Sequence, residues 1–159
     1  LTVIRGTPVV VQLMIIFFVI MASSNNKVLA GVIAFGINSG AYVAEIIRGG
    51  IMSVDEGQTE AGRSLGFGYV QTMTYIVLPQ AVKNVLPTLV NEFITLLKET
   101  AVAGYVGLMD LTYAGNIILG ISYVNFPPLL GVALIYLILV MFFTWLMGKL
   151  ERRLRSSER

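Results

Sequence analysis

A run of about 20 apolar residues has little choice of fold: at 1.5 Å per residue an α-helix of that length crosses the ~30 Å hydrocarbon layer of a bilayer and satisfies its own backbone hydrogen bonds. Four stretches of this chain approach that requirement, 8–21, 28–47, 85–109 and 129–147. The first is short and opens close to Leu1, so it is expected to be the remainder of a longer span. It lacks the basic leader and small-residue cleavage site of a signal peptide. Stretch 129–147 is the most apolar, with Thr144 its most polar member. Stretch 85–109 carries Asn91, Glu92, Lys98 and Glu99, groups that must face protein or a wet cavity. The expected fold class is all-α: a polytopic transmembrane helical bundle, one domain over 1–159, with 48–83 as a loop between the second and third spans.

Charged residues make up 13% of the chain against ~25% in ordinary soluble domains, and 56% of it is hydrophobic. It has no cysteine and no histidine, which removes thiolate nucleophiles, histidine bases and His/Cys metal sites. Catalysis and a resident cofactor or metal are therefore not expected. No G-x-x-x-x-G-K-[ST] occurs, so no ATP site of the P-loop kind is expected, and a net charge of +2 gives no reason to expect nucleic acid. The placement of the charges says more. Arg48, Arg63 and Lys83 lie in 48–83, and Lys149, Arg152, Arg153, Arg155 and Arg159 lie in the tail, whereas only Lys27 separates the first two spans and 110–128 has no Lys or Arg. Basic residues gather on the cytoplasmic side. Loop 48–83 and the C-terminus are thus expected in the cytoplasm, with a short helix over 111–121 at the outer surface and a turn at Asn125-Phe126-Pro127-Pro128 before the last span.

Within 48–83, Ser53 and Glu56 have the S-x-x-E spacing of a capping box, which predicts a helix starting there. Gly66 and Gly68 are expected to end it, because glycine accepts the left-handed conformation common at helix C-termini. A second helical stretch, 69–78, is expected to run to Pro79, with Pro87 in the first turn of the next span. Helix, glycine turn, helix makes an elbow parallel to the membrane. On it Glu60 offers a charge, and Leu65 and Phe67 offer apolar anchors.

Glu60-Ala61-Gly62, three residues, Gly66, nine residues, then Ile76-Val77-Leu78-Pro79 resembles the EAA loop of ABC-transporter permeases, EAA-x3-G-x9-I-x-L-P, with Gly62 in place of the second alanine. Three further stretches are similar to the polar amino-acid importer branch of that family: Arg5-Gly6-Thr7-Pro8 with Val11-Gln12-Leu13, Asn38-Ser39-Gly40-Ala41-Tyr42 with Glu45, and Asn91-Glu92-Phe93 with Leu96-Leu97-Lys98. The resemblance covers nearly the whole chain. It implies a MetI-like permease in a bacterial cell membrane, lacking the first of five spans and part of the second. It also implies an elbow that docks in a cytoplasmic ATPase subunit through Glu60, Ala61, Gly62, Leu65, Gly66 and Phe67. ATP and Mg would be held by that partner. The other implied partners are a second permease copy or a paralogue, an extracytoplasmic solute-binding protein, and membrane lipid.

The path through the membrane is read from helical spacing. Asn38, Tyr42 and Glu45 share one face of the second stretch, and Asn91, Thr95 and Lys98 share one face of the third, with Glu92 and Glu99 beside it. A small-residue ridge, Gly36, Gly40 and Ala44, is expected to let a neighbouring helix approach. Two polar faces suggest a shared wet passage in which Lys98, with Glu92 or Glu45, meets the two charges of an amino acid. Alternatives remain open here: Lys98 pairing with Glu92 or Glu99 to set register, Glu45 pairing with Arg48, and Tyr42 serving only as packing. Phe17-Phe18 and Phe142-Phe143 are expected in the core or in lipid. A non-transporting scaffold or sensor that recruits a soluble partner through 53–79 is the competing function. A gated channel or an intramembrane enzyme fits less well.

Overall fold

The computed structural model describes residues 1–24 and 26–156, with side chains as far as Lys149; Arg159, counted above among the tail charges, lies outside the described residues. Those residues form α1 (Thr2–Arg5), α2 (Val9–Ile15) running into a π-helical turn (Ile16–Ile20), and α3 (Lys27–Met52). α4 (Glu56–Ser64) and α5 (Tyr69–Thr72) follow, then a π-helical turn (Met73–Val77), α6 (Leu78–Glu99), a 3₁₀ segment (Thr100–Val106), α7 (Leu111–Ser122) and α8 (Phe126–Ser156). The described residues contain no strand.

α3 starts where Asn26 Oδ1 accepts the Leu29 N–H at 3.0 Å, satisfying one of the orphan donors of the first turn. It continues past residue 47 to Met52, and that extension overturns the expected capping box. Ser53 closes α3 instead, its hydroxyl donating to the Gly50 carbonyl at 2.8 Å. Asp55 caps α4, accepting the Gly57 N–H at 2.7 Å.

Pro79 does not end its helix, and the span expected at 85–109 begins earlier. Proline lacks an N–H and its ring crowds the carbonyl four residues back. The wide π-helical turn before it relieves both problems: the Leu78 N–H bonds to the Met73 carbonyl five residues back, and the helix restarts at Leu78 with Pro79 as its second residue. Pro87 consequently lies inside α6 rather than in a first turn, so α6 forgoes one internal hydrogen bond there. At the far end, Gly107 in the left-handed region (φ 70°) breaks the run, and α7 leaves at 51° to the helical run Tyr69–Val106. Asp110 caps α7 through Tyr113 N–H at 2.7 Å. Pro127 and Pro128 fall in the first turn of α8, where their missing N–H groups are not needed.

By length and composition two helices, Lys27–Met52 and Phe126–Lys149, are long and apolar enough to cross a membrane, or three if the bent pair is one span. The core forms where α2, α3 and the 3₁₀ segment meet: Leu13, Ile16, Ala30, Ala34 and Val106, with Phe17 and Phe35 packed against them. The buried stripe of α3 is thus Ala30, Ala34, Asn38 and Ala41, while the ridge Gly36, Gly40 and Ala44 is left exposed. α8 lies at the edge of the bundle, touching α6 through Phe143 against Phe93 and α7 through Val132 against Gly115.

α3 and α6 approach closely at Gly50, where a Cβ would overlap the Val85 side chain and lie 3.4 Å from the Ala81 carbonyl. Gly50→Leu is expected to destabilise the protein by about 1–3 kcal/mol through overpacking. The check is the melting temperature of the purified protein; an unchanged value would mean that the two helices are not this close.

Candidate functional site

The elbow is built by backbone geometry. At the end of α4, Gly66 adopts φ 86°, its N–H bonds to the Arg63 carbonyl at 3.0 Å, and the Phe67 N–H bonds to the Gly62 carbonyl at 3.1 Å. This pair of bonds around a left-handed glycine is a Schellman closure. Gly68, expected to share in ending α4, instead opens α5, its N–H donating to Gln71 Oε1 at 3.0 Å. α4 then folds back onto α5 and the following π-helical turn. Gly62 is buried in that contact, and a Cβ there would lie 2.8 Å from both Thr72 Cγ2 and Ile76 Cδ1. Glycine at the position where the EAA pattern carries its second alanine therefore lets α4 sit tight on its neighbour.

Of the six residues singled out for docking, Glu60, Ala61, Leu65, Gly66 and Phe67 are exposed and Gly62 faces inward. Leu65 is 76% and Phe67 40% exposed, so the larger share of unburied apolar surface belongs to Leu65. Two side-chain bridges reach the base of α6, one from α4 and one from Ser53 at the junction of α3 with the elbow. Gln80 Nε2 reaches Gln58 Oε1 at 3.3 Å, and Asn84 Nδ2 reaches the Ser53 hydroxyl at 2.9 Å. Sequence reasoning missed both, because neither follows from spacing along one helix.

Along α6 the face of Asn91, Thr95 and Lys98 is exposed, and it extends further than the spacing argument took it. Thr88 and Asn84 continue the same steps of three and four toward the elbow and are exposed as well. This lane runs on the side of α6 turned away from Phe93 and its contact with Phe143. At its lower end a polar cleft of about 290 Å³ opens between Ile46, Gly49, Gly50 and Ser53 of α3 and Asn84, Val85 and Thr88 of α6. Glu92 points to α3, accepting from the Ser39 hydroxyl at 3.1 Å. Among the described residues no ion pair joins Lys98 to Glu92 or Glu99.

The polar face of α3 does not meet that lane. Asn38, 3% exposed, donates to Gln12 Oε1 at 3.2 Å; the ring of Tyr42 lies under the Arg5 guanidinium at 5.3 Å; and Glu45 pairs with Arg5 at 3.6 Å and with Arg48. The reason is angular. Residues Ser39, Ile46, Gly50 and Ser53 face α6, and Asn38, Tyr42 and Glu45 lie a residue's rotation, about 100°, around the helix, where α1 and α2 pack. Glu45 forms the Arg48 pair left open above, and among the described residues the two polar faces are turned to different neighbours.

Over residues 1–156 the chain matches the family described as "Binding-protein-dependent transport system inner membrane component". It is 41% identical to the arginine transport system permease protein ArtQ of Bacillus subtilis over 99% of its own length and 73% of that protein. It is 38% identical to the glutamine transport system permease protein GlnP of Escherichia coli K12, covering 96% of this chain and 72% of that one. Its fold superposes on a solved amino acid ABC transporter, crystallised with histidines, at a TM-score of 0.87 and 47% identity, over 95% of this chain and 72% of that one.

Proposed function

From the premise that this chain belongs to the family of binding-protein-dependent inner membrane transport components and is the permease subunit of an ABC importer, we propose that it carries amino acids along the exposed polar lane of α6. The lane is the observation that carries this reading. Asn84, Thr88, Asn91, Thr95 and Lys98 form a continuous polar stripe on the face of α6 opposite Phe93, and such a stripe is not left against lipid. A second permease copy, or a paralogue, placed against it encloses a wet path with Lys98 near its outer end. There the ammonium meets the carboxylate of the amino acid. Relatives named for arginine and for glutamine support the substrate class and leave the particular side chain open.

Loop 48–83 and the C-terminus lie on the cytoplasmic side in this reading, following the Lys/Arg bias. ATP and Mg are held and hydrolysed by a separate subunit docked on the elbow, and an extracytoplasmic binding protein delivers substrate to the opposite side. The transporter works within lipid and needs no nucleic acid. Glu60, Ala61, Leu65, Gly66 and Phe67 present the docking surface; Gly62 holds it in shape. Movement of the docked elbow passes through the Gln58–Gln80 and Ser53–Asn84 bridges into α6, shifting the bundle between inward-open and outward-open states.

The test is cross-linking in native vesicles from Ala61→Cys or Ser64→Cys, which are unambiguous labels in a chain without cysteine. Capture of the ATPase subunit is expected, together with ATP-dependent uptake that one class of amino acid competes best. Vesicles that take up no amino acid, or cross-links that never reach an ATPase, would instead favour a recruiting scaffold.

A further inference from the structure

The sequence stretches Arg5-Gly6-Thr7-Pro8 and Val11-Gln12-Leu13 are not used by the lane or the elbow, yet Arg5 and Gln12 within them meet Asn38, Tyr42 and Glu45 on the polar face of α3. Pro8, extended at φ −61° and ψ 136°, makes the corner between α1 and α2. Gln12 holds that corner from inside: its amide nitrogen lies 2.6 Å from the Ile4 carbonyl and 2.7 Å from the Thr7 hydroxyl, and its oxygen accepts from buried Asn38 at 3.2 Å. Two helical turns along α3, Arg5 closes the same seam, with its guanidinium over Tyr42 and 3.6 Å from the Glu45 carboxylate. Arg48 grips that carboxylate through Nε at 3.1 Å and reaches the Met52 sulfur, at the last residue of α3 before the elbow.

We infer that Arg5, Gln12, Asn38 and Glu45 form a latch that ties α1 and α2 to α3, so that motion entering at the elbow is delivered to α2 as well as to α6. The inference rests on the importer reading above. It gives Asn38 and Glu45 a positioning role and takes them out of contact with the amino acid. The latch has two tiers of different kind. The amide pair, with Asn38 buried and Gln12 half-buried, fixes register, because an unmatched Asn38 would be costly to leave without a partner. The Arg5–Glu45 pair is only partly shielded, with 37% and 28% of its side chains exposed. Exposed ion pairs add little to stability, so breaking this one is expected to alter transmission more than folding.

The test uses the full-length permease assembled with its ATPase subunits and binding protein in proteoliposomes. A radiolabelled mixture of the protein amino acids is the substrate, and ATP hydrolysis is measured in the same vesicles. Arg5→Cys with Glu45→Cys is expected to raise the ATP consumed per amino acid imported by about three- to tenfold. Joining the two cysteines with a short bis-maleimide is expected to restore the wild-type ratio, and Arg5→Lys should keep it throughout. Recovery on cross-linking separates a mechanical tie from a misfolded chain or a lost substrate contact, neither of which a tether repairs. A wild-type ratio in the uncross-linked variant, or no recovery on cross-linking, overturns the latch while wild-type uptake leaves the importer reading standing. Absence of uptake by the wild-type transporter overturns both.

Discussion

Lys98→Met is expected to lower amino-acid uptake by about 10- to 100-fold, the range that follows from losing one charge-assisted hydrogen bond to a substrate carboxylate. Two features of the structure give the prediction its direction. Lys98 is exposed at the end of the α6 lane, and among the described residues no carboxylate pairs with it, Glu92 being taken up by the Ser39 hydroxyl. If Lys98 served only to set helix register, its removal would break an ion pair and lower the melting temperature without affecting transport. Among the described residues no ion pair holds Lys98, so replacing it with an apolar side chain of similar length takes a charge out of a costly environment without breaking one. Stability is therefore expected to hold or rise as uptake falls. Measuring uptake in proteoliposomes beside the melting temperature of the same preparation separates the two cases, and wild-type uptake with a lowered melting temperature would refute the substrate role.

What the sequence made legible follows from how local each determinant is. Apolar length announces helices by itself, because lipid offers the backbone no other hydrogen-bonding partner. Gly66 was legible for the same kind of reason: the left-handed turn needs that residue at that point and nothing distant. Ser53 misled because S-x-x-E is a local signal that α3 overrides by running to Met52, which makes Ser53 the end of one helix before it can begin another. Pro79 misled because the π-helical turn that accommodates it has no pattern of apolar spacing.

The lane was read only in part, as Asn91, Thr95 and Lys98: Asn84 fell outside a span started at Val85, and Thr88, inside it, stood as a single polar residue in the first turn beside Pro87. A helix allowed to begin at Leu78 would have carried the same steps of three and four back through Thr88 to Asn84. The polar face of α3 marks a firmer limit. Periodicity shows that Asn38, Tyr42 and Glu45 share a face but not which neighbour fills it, and the 100° step that separates them from Ser39 decides between α2 and α6. A signal that could have found the neighbour lay in Arg5, Thr7 and Gln12, hydrogen-bonding side chains at the start of an apolar stretch that must find partners there.

The second large effect belongs to the elbow. Leu65→Ala combined with Phe67→Ala is expected to weaken capture of the ATPase subunit by about 20- to 300-fold, since fully burying a Leu or Phe side chain contributes roughly 1.5–3 kcal/mol and only the exposed part of each is left to bury. The two should not contribute equally. Leu65, 76% exposed, has more surface left to bury than Phe67 at 40%, so Leu65→Ala alone should account for the greater part. Glu60→Lys, acting through an exposed charge, is expected to change affinity by no more than about fivefold at moderate salt. The elbow itself should survive both alanines, because the bonds that close it run from the backbone of Gly66 and Phe67 to the carbonyls of Arg63 and Gly62. Co-purification of the ATPase subunit across a salt series measures this. Equal losses from Glu60→Lys and Leu65→Ala, or a loss for Leu65→Ala that vanishes at low salt, would mean that charge rather than apolar burial holds the two proteins together.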